Sequence, residues 1–236
     1  MSYIKRYIKD SKSPLYSLIF IAPVLIGYEI LLFTLNQSDI EGIRNGADVL
    51  IRRIFHHFNI YGFYFVGFLV LLSLFLAFQY RLKKGKSVKL KFNYFLLMLL
   101  ESFFYAFLLI VILNKSNNIL SAPAILNTKL HLLIMALGAG IYEEFVFRVI
   151  MIGAGLFFFN KLLRWNQTTS KILAIIFASI LFSIFHYIGE FGDVFLWRSF
   201  FLRTIAGLLL SVLYITRGYG ITAYTHTIYD LIIVFL

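Results

Sequence analysis

A polytopic, all-α transmembrane bundle of seven to eight helices, enclosing an intramembrane polar cavity, is the fold this sequence predicts, and three observations predict it. Hydrophobic residues make up 61% of the 236-residue chain and charged residues only 14%, against roughly 45–50% and 25% in soluble domains. The 27 Phe and 15 Tyr add more apolar surface than a soluble core of this length takes in. The apolar residues are also gathered into seven runs, each near the ~20 residues needed to cross a hydrocarbon layer of about 30 Å.

In chain order the runs cover 16–35, 60–79, 92–113, 130–158, 172–188, 199–216 and 219–236. The first is long enough to remain as a span, so no cleavable signal peptide is read there. The fourth is too long for one straight crossing. It is expected to tilt, or to break near Gly138, Gly140 or Gly153, and an eighth short helix is the alternative. No strand alternation, internal repeat or low-complexity tract stands out. Residues 1–129 supply three accessory spans and residues 130–236 carry the polar motifs, within one integrated membrane domain.

The net charge of +11 would suit nucleic acid if the charges formed a patch, but they follow the spans instead. Fourteen Lys and Arg fall in the N-terminal arm, the loops after the second and fourth runs and the turn before the last run, and only six in the alternate loops. This positive-inside asymmetry orients a membrane protein. Membrane lipid is therefore an expected partner and nucleic acid is not. The N-terminus is expected to be cytoplasmic; seven spans would place the C-terminus outside, and eight would reverse that. The absence of cysteine excludes disulfides, a thiol nucleophile and cysteine metal ligands. Between Glu41 and Phe58, Arg52, Arg53, His56 and His57 alternate with Val49, Leu50, Ile51, Ile54 and Phe55. This segment reads either as a helix lying on the membrane surface or as a solvated loop helix.

Ionisable residues inside the apolar runs stand out, because each costs about 2.5–3.5 kcal/mol on insertion scales and usually marks function. Gly138-Ala-Gly-Ile-Tyr-Glu143-Glu144-Phe-Val-Phe-Arg148 holds two carboxylates and a guanidinium. On an α-helix residues four apart share a face and adjacent ones point about 100° apart. Glu144 and Arg148 can then neutralise each other, while Glu143 points elsewhere with no partner on its own helix. A desolvated carboxylate of that kind suits a general base; a purely structural pair of glutamates is the competing reading. His186 shares a face with Phe182, and His226 shares one with Asp230. Asp230 either orients His226 or joins it on a common ligand. Counted at 1.5 Å per residue, Glu143, His186 and His226 all fall well inside their runs, so the three stretches are expected to form one buried polar site.

The succession E-E-x-x-x-R, F-x-x-x-H and H-x-x-x-D resembles the CAAX protease and bacteriocin-processing (CPBP, or Abi) family of intramembrane proteases. The likeness covers roughly 130–236 and includes a glycine-bearing third region at Gly207, Ser211 and Gly218 or Gly220. The resemblance implies a bundle of about eight helices with the active site inside a membrane, here expected to be a prokaryotic cytoplasmic membrane. It implies an endopeptidase acting on a peptide or membrane-protein substrate. Glu143, assisted by His186, would activate water; His226 and Asp230 would stabilise the oxyanion; Glu144 and Arg148 would hold the geometry. The family often has Asn where this chain has Asp230, and an ionised carboxylate there would repel an oxyanion. Asp230 is then protonated, or it orients His226, or it binds a metal. Glu143, His186 and His226 offer donors for zinc, but a glutamate needed as base is poorly placed to be a ligand, so no cofactor is favoured. Two other functions stay open: a non-enzymatic protein of bacteriocin immunity or transport, and a metal-dependent membrane hydrolase acting on lipid. Glu29, Glu101 and Arg203 are also charged residues in apolar surroundings and are expected to be structural, as are Gly207 and Ser211 in helix packing.

Overall fold

The computed structural model describes residues 2–35, 44–59, 72, 79, 90–113, 129–189 and 192–235. Among these it is wholly helical: α1 (Tyr3–Ser11), α2 (Pro14–Phe33), α3 (Gly46–His57), α4 (Phe92–Leu113), α5 (Lys129–Leu162), α6 (Gln167–Phe185), α7 (Trp197–Arg217) and α8 (Tyr219–Phe235). Five of them, α2 and α4 to α7, are long and apolar enough to cross a membrane. The chain is an integral membrane protein. α8 occupies the last predicted run but at 17 residues is shorter than the others. The predicted span at 60–79 lies outside the described residues apart from 72 and 79.

Lipid tails are as apolar as leucine side chains, so helices in a bilayer associate through close packing and polar contacts rather than through apolar burial. α8 shows this at the centre of the bundle. A Cβ built on Gly140 of α5 would lie 1.9 Å from Thr227 Oγ1 and 2.6 Å from the Ala223 carbonyl oxygen. Only a glycine lets α5 and α8 approach this closely. The tight contact brings the carboxylates of α5 within reach of the histidine of α8. Gly140→Ala is therefore expected to push the two helices apart and to destabilise the protein by about 1–3 kcal/mol, the usual cost of overpacking. A lower unfolding temperature in detergent is the readout.

The long fourth run does not break. It continues as one helix from Lys129 to Leu162, but between Ala139 and Met151 it is wound as a π-helix, with wide i→i+5 turns. π turns are rare and are often found at functional sites. This wide stretch carries Glu143, Glu144 and Arg148, all buried. Of the glycines marked as breakpoints, Gly138 and Gly140 meet their neighbours closely where the π winding begins, while Gly153 faces open space.

Glu29, Glu101 and Arg203 each have an oppositely charged partner. Glu29 of α2 accepts from Arg52 Nη2 at 2.7 Å and from the Tyr142 hydroxyl at 2.9 Å. Glu101 of α4 pairs with Arg217, Nη2 to Oε2 at 2.8 Å, and accepts from the Tyr7 hydroxyl at 2.7 Å. Burial and the Glu101 carboxylate raise the Tyr7 phenol well above its ordinary pKa, so it remains a donor. Arg203 pairs with Asp193. The basic N-terminal arm is a short helix, α1, tied through Tyr7 and Ser11 to Glu101 and Arg217. Ser179 and Ser211 hydroxyls meet at 3.4 Å where α6 packs on α7. Gly218 turns α7 into α8 at φ +84°, with Lys12 O 2.9 Å from where a Cβ would stand.

Of the 41–58 segment, the structure describes residues 44–58, and one face of the helix packs against protein while Leu50, Ile54 and Phe58 stay exposed. Residues 46–57 form α3, which docks into the bundle. Asp48 is fully buried and gathers Tyr28 OH at 2.9 Å, Arg44 at 3.0 Å and Arg52 at 2.6 Å. Ala47 and Ile51 are buried with it, while His56 and His57 stay exposed. The mixture of cations and apolar residues signalled an amphipathic helix, and the buried acid on its inner face ties it to α2.

Candidate active site

α5, α6, α8 and the start of α3 bring their polar side chains together. Glu144 and Arg148 form the expected ion pair along α5 at 3.0 Å, with both side chains almost wholly buried. The Arg148 guanidinium also lies over the Phe182 ring, 4.5 Å from its centroid, a cation–π contact that desolvation strengthens. Glu144 has a second partner that spacing along one helix does not show. Its Oε1 stands 2.7 Å from His226 Nδ1. An ionised carboxylate only accepts, so Nδ1 carries the proton in this contact.

The other ring nitrogen, His226 Nε2, is 3.5 Å from Asp230 Oδ2. This is long for a hydrogen bond. His226 is held chiefly by Glu144 of another helix, and its i+4 neighbour Asp230 acts on it at longer range. His186 differs in place from the expectation: it is the C-cap of α6, one residue past the helix end, rather than well inside a span. Its Nδ1 lies 2.8 Å from the Phe182 carbonyl oxygen. Since a carbonyl accepts, Nδ1 is again the protonated nitrogen and Nε2 is left for other work. The Phe182 ring separates the two histidines, edge-on to His186 at 4.9 Å and to His226 at 6.1 Å.

Glu143 has no partner on its own helix but is not without one. Its Oε1 accepts from Asn45 Nδ2 at 2.8 Å. Asn45 is the N-cap of α3, buried, and lies in none of the predicted spans. Sequence reasoning passed over it. The available signal was Asn45 followed three residues later by Asp48, a start-of-helix pattern. Two glutamates adjacent in sequence thus have distinct surroundings. Glu144 is 0% exposed and shared between Arg148 and His226, while Glu143 is 7% exposed with one amide donor on Oε1.

This arrangement sits in a recognisable segment. Residues 125–232 match the family model described as type II CAAX prenyl endopeptidase, Rce1-like. Over these residues, a little under half of the chain, the protein is similar to the CAAX protease family. The match takes in α5, α6, α7 and most of α8, and so includes Glu143, Glu144, Arg148, His186, His226 and Asp230. It leaves α1 to α4, and with them Asn45, outside. No curated protein and no solved structure matches the chain. That likeness implies a membrane endopeptidase with a peptide or protein substrate.

Among the described residues no three His, Asp or Glu side chains stand together at metal-ligating spacing. Both nitrogens of His226 face carboxylates, and His186 Nδ1 faces a carbonyl.

Proposed function

We propose that the CAAX protease domain hydrolyses a peptide bond within the membrane by a glutamate-activated water, with Glu143 as the base. The observation that carries this reading is the division of labour between the two carboxylates. Glu144 is sealed from solvent and committed to Arg148 and His226, whereas Glu143 keeps some exposure and a single amide partner. Both contacts of Glu144 fall on Oε1, and its Oε2, though without a hydrogen-bond partner, is closed off from solvent, whereas Glu143 keeps the exposure that a water would need.

The reaction then runs through this chain's own residues. Glu143 takes a proton from water as the water oxygen bonds to the scissile carbonyl carbon. The carbonyl π pair moves onto its oxygen, forming a tetrahedral oxyanion. His226 is fixed through Nδ1–H on Glu144, and carboxylates on both sides of the ring favour protons on both nitrogens. Nε2–H is then the donor to the oxyanion, in a dry site where such a donor counts most. Asp230 acts through His226 and does not face the oxyanion as a bare anion. On collapse the C–N bond breaks and the leaving nitrogen takes the proton from Glu143. His186, with Nδ1–H on its own helix carbonyl, offers Nε2 to hold the water beside Glu143.

The substrate is a peptide presented at the membrane, and the family description makes a prenylated C-terminal CAAX peptide the first probe. The positive charge of the N-terminal arm and of the loops on its side supports a cytoplasmic N-terminus. Cleavage of such a peptide by purified protein in liposomes is the test. His186→Ala and His226→Ala are each expected to lower kcat by about 10²- to 10⁴-fold, the range for acid–base and oxyanion groups. Full turnover in both variants would overturn the mechanism. Activity is expected to survive dialysis against EDTA; loss on chelation with recovery on zinc addition would instead establish the metal-dependent hydrolase.

A further inference from the structure

Asn45 stands where it can act on the reaction although it lies outside the segment that carries the family motifs. Its side-chain amide makes two contacts of opposite sense. Oδ1 accepts from the Ala47 backbone N–H at 2.9 Å, which caps α3, and Nδ2 donates to Glu143 Oε1 at 2.8 Å. The first contact fixes the second. If the amide were flipped, its oxygen would face the carboxylate and its NH2 would face the Ala47 N–H, placing acceptor against acceptor and donor against donor. The helix cap therefore holds the amide in the one orientation that can donate to Glu143.

The cap is itself held firmly. The Asn45 backbone (φ −56°, ψ 137°) leads into α3. Three residues on, Asp48 locks that helix to α2 through Tyr28 and to its own arginines, Arg44 and Arg52. On the other side, a Cβ added to Gly138 of α5 would come within 2.8 Å of Asn45 Cβ, so α5 and the start of α3 are in close contact just before the glutamates.

We propose that Asn45 is a positioning residue for the peptidase reaction: its amide, oriented by the α3 cap, pins Glu143 Oε1 and thereby presents Oε2 to the attacking water. The proposal rests on Glu143 being the base. It assigns α3, which lies outside the family segment, a part in building the site.

Capping and donation separate cleanly by substitution, because Ser and Asp cap helices as well as Asn does but neither presents an amide donor. In the full-length protein reconstituted in liposomes, Asn45→Ser is expected to unfold close to the wild-type temperature, whereas Asn45→Asp, which sets a second buried carboxylate against Glu143, is expected to unfold earlier. With the prenylated CAAX peptide, kcat is expected to fall about 10- to 100-fold, the scale for residues that orient a reacting group. KM should change little, and the Asp variant should lose more because it sets an acceptor against Glu143. Asn45→Ala loses cap and donor together and should also unfold earlier. Infrared spectra of protein with 13C-labelled glutamate carboxyls give a readout that needs no substrate. The Glu143 carboxylate bands, identified by their loss in Glu143→Gln, should shift in Asn45→Ser. Unshifted bands, or kcat within twofold of wild type in both the Ser and Asp variants, would overturn the role of Asn45. Wild-type turnover in Glu143→Gln would overturn the base assignment instead, with the Asn45–Glu143 contact still visible in the spectra.

Discussion

Glu143→Gln is expected to lower kcat by about 10²- to 10⁴-fold, the full contribution of a general base, while leaving the fold intact. Glutamine keeps an oxygen where Glu143 Oε1 accepts from Asn45 Nδ2 at 2.8 Å, so the link to α3 survives. What it loses is the ability to take a proton. The neighbouring residue makes the contrast informative. Glu144 is equally acidic in sequence terms, yet its Oε1 stands 3.0 Å from Arg148 Nη1 and 2.7 Å from His226 Nδ1. A proton taken up there would break an ion pair in a buried site. Single-turnover cleavage in liposomes, read beside unfolding in detergent, checks the assignment. Cleavage within threefold of wild type by a well-folded Glu143→Gln would remove Glu143 as the base.

The membrane bundle was legible because composition and run length are strong signals: α2, α4, α6 and α7 lie within a few residues of the predicted spans. The Glu144–Arg148 pair was legible because a helix repeats over four residues. The rest of the cluster was not, for three separate reasons. α-helical periodicity assigns adjacent residues to different faces, but from Ala139 to Met151 the turns are wider, and Glu143 and Glu144 are both buried with partners on other helices. The Glu144–His226 contact depends on how closely α5 and α8 approach, which Gly140 permits and which no spacing within one motif reveals. His186 was assigned to a span because the apolar run continues through Tyr187 and Ile188, whereas the helix ends at Phe185. Asn45 is the most instructive omission. It sits in a polar, charged segment, and its importance comes from a contact across 98 positions of sequence.

Removing one member of the Glu144–Arg148 pair is expected to have the largest effect on stability. Glu144→Ala would leave the Arg148 guanidinium buried with its charge uncompensated, and breaking a buried pair in this way costs about 3–5 kcal/mol. The Phe182 ring, 4.5 Å from the guanidinium, offsets only part of that; cation–π contacts contribute about 2 kcal/mol when desolvated. Arg148→Met should be comparably harmful, since it leaves Glu144 with only His226. The double substitution Glu144→Leu with Arg148→Met removes both charges from an apolar setting, and replacing a buried pair by apolar residues is often neutral. It should therefore unfold at a higher temperature than either single variant, a coupling that a double-mutant cycle reads directly. Activity should not return with stability. His226 Nδ1 would have lost its acceptor, the ring would be free to turn, and kcat should stay at least about 10-fold down, as for other lost orienting partners. Recovery of both together would mean that Glu144 and Arg148 serve packing alone. Recovery of stability without turnover would show that the buried pair exists to aim His226.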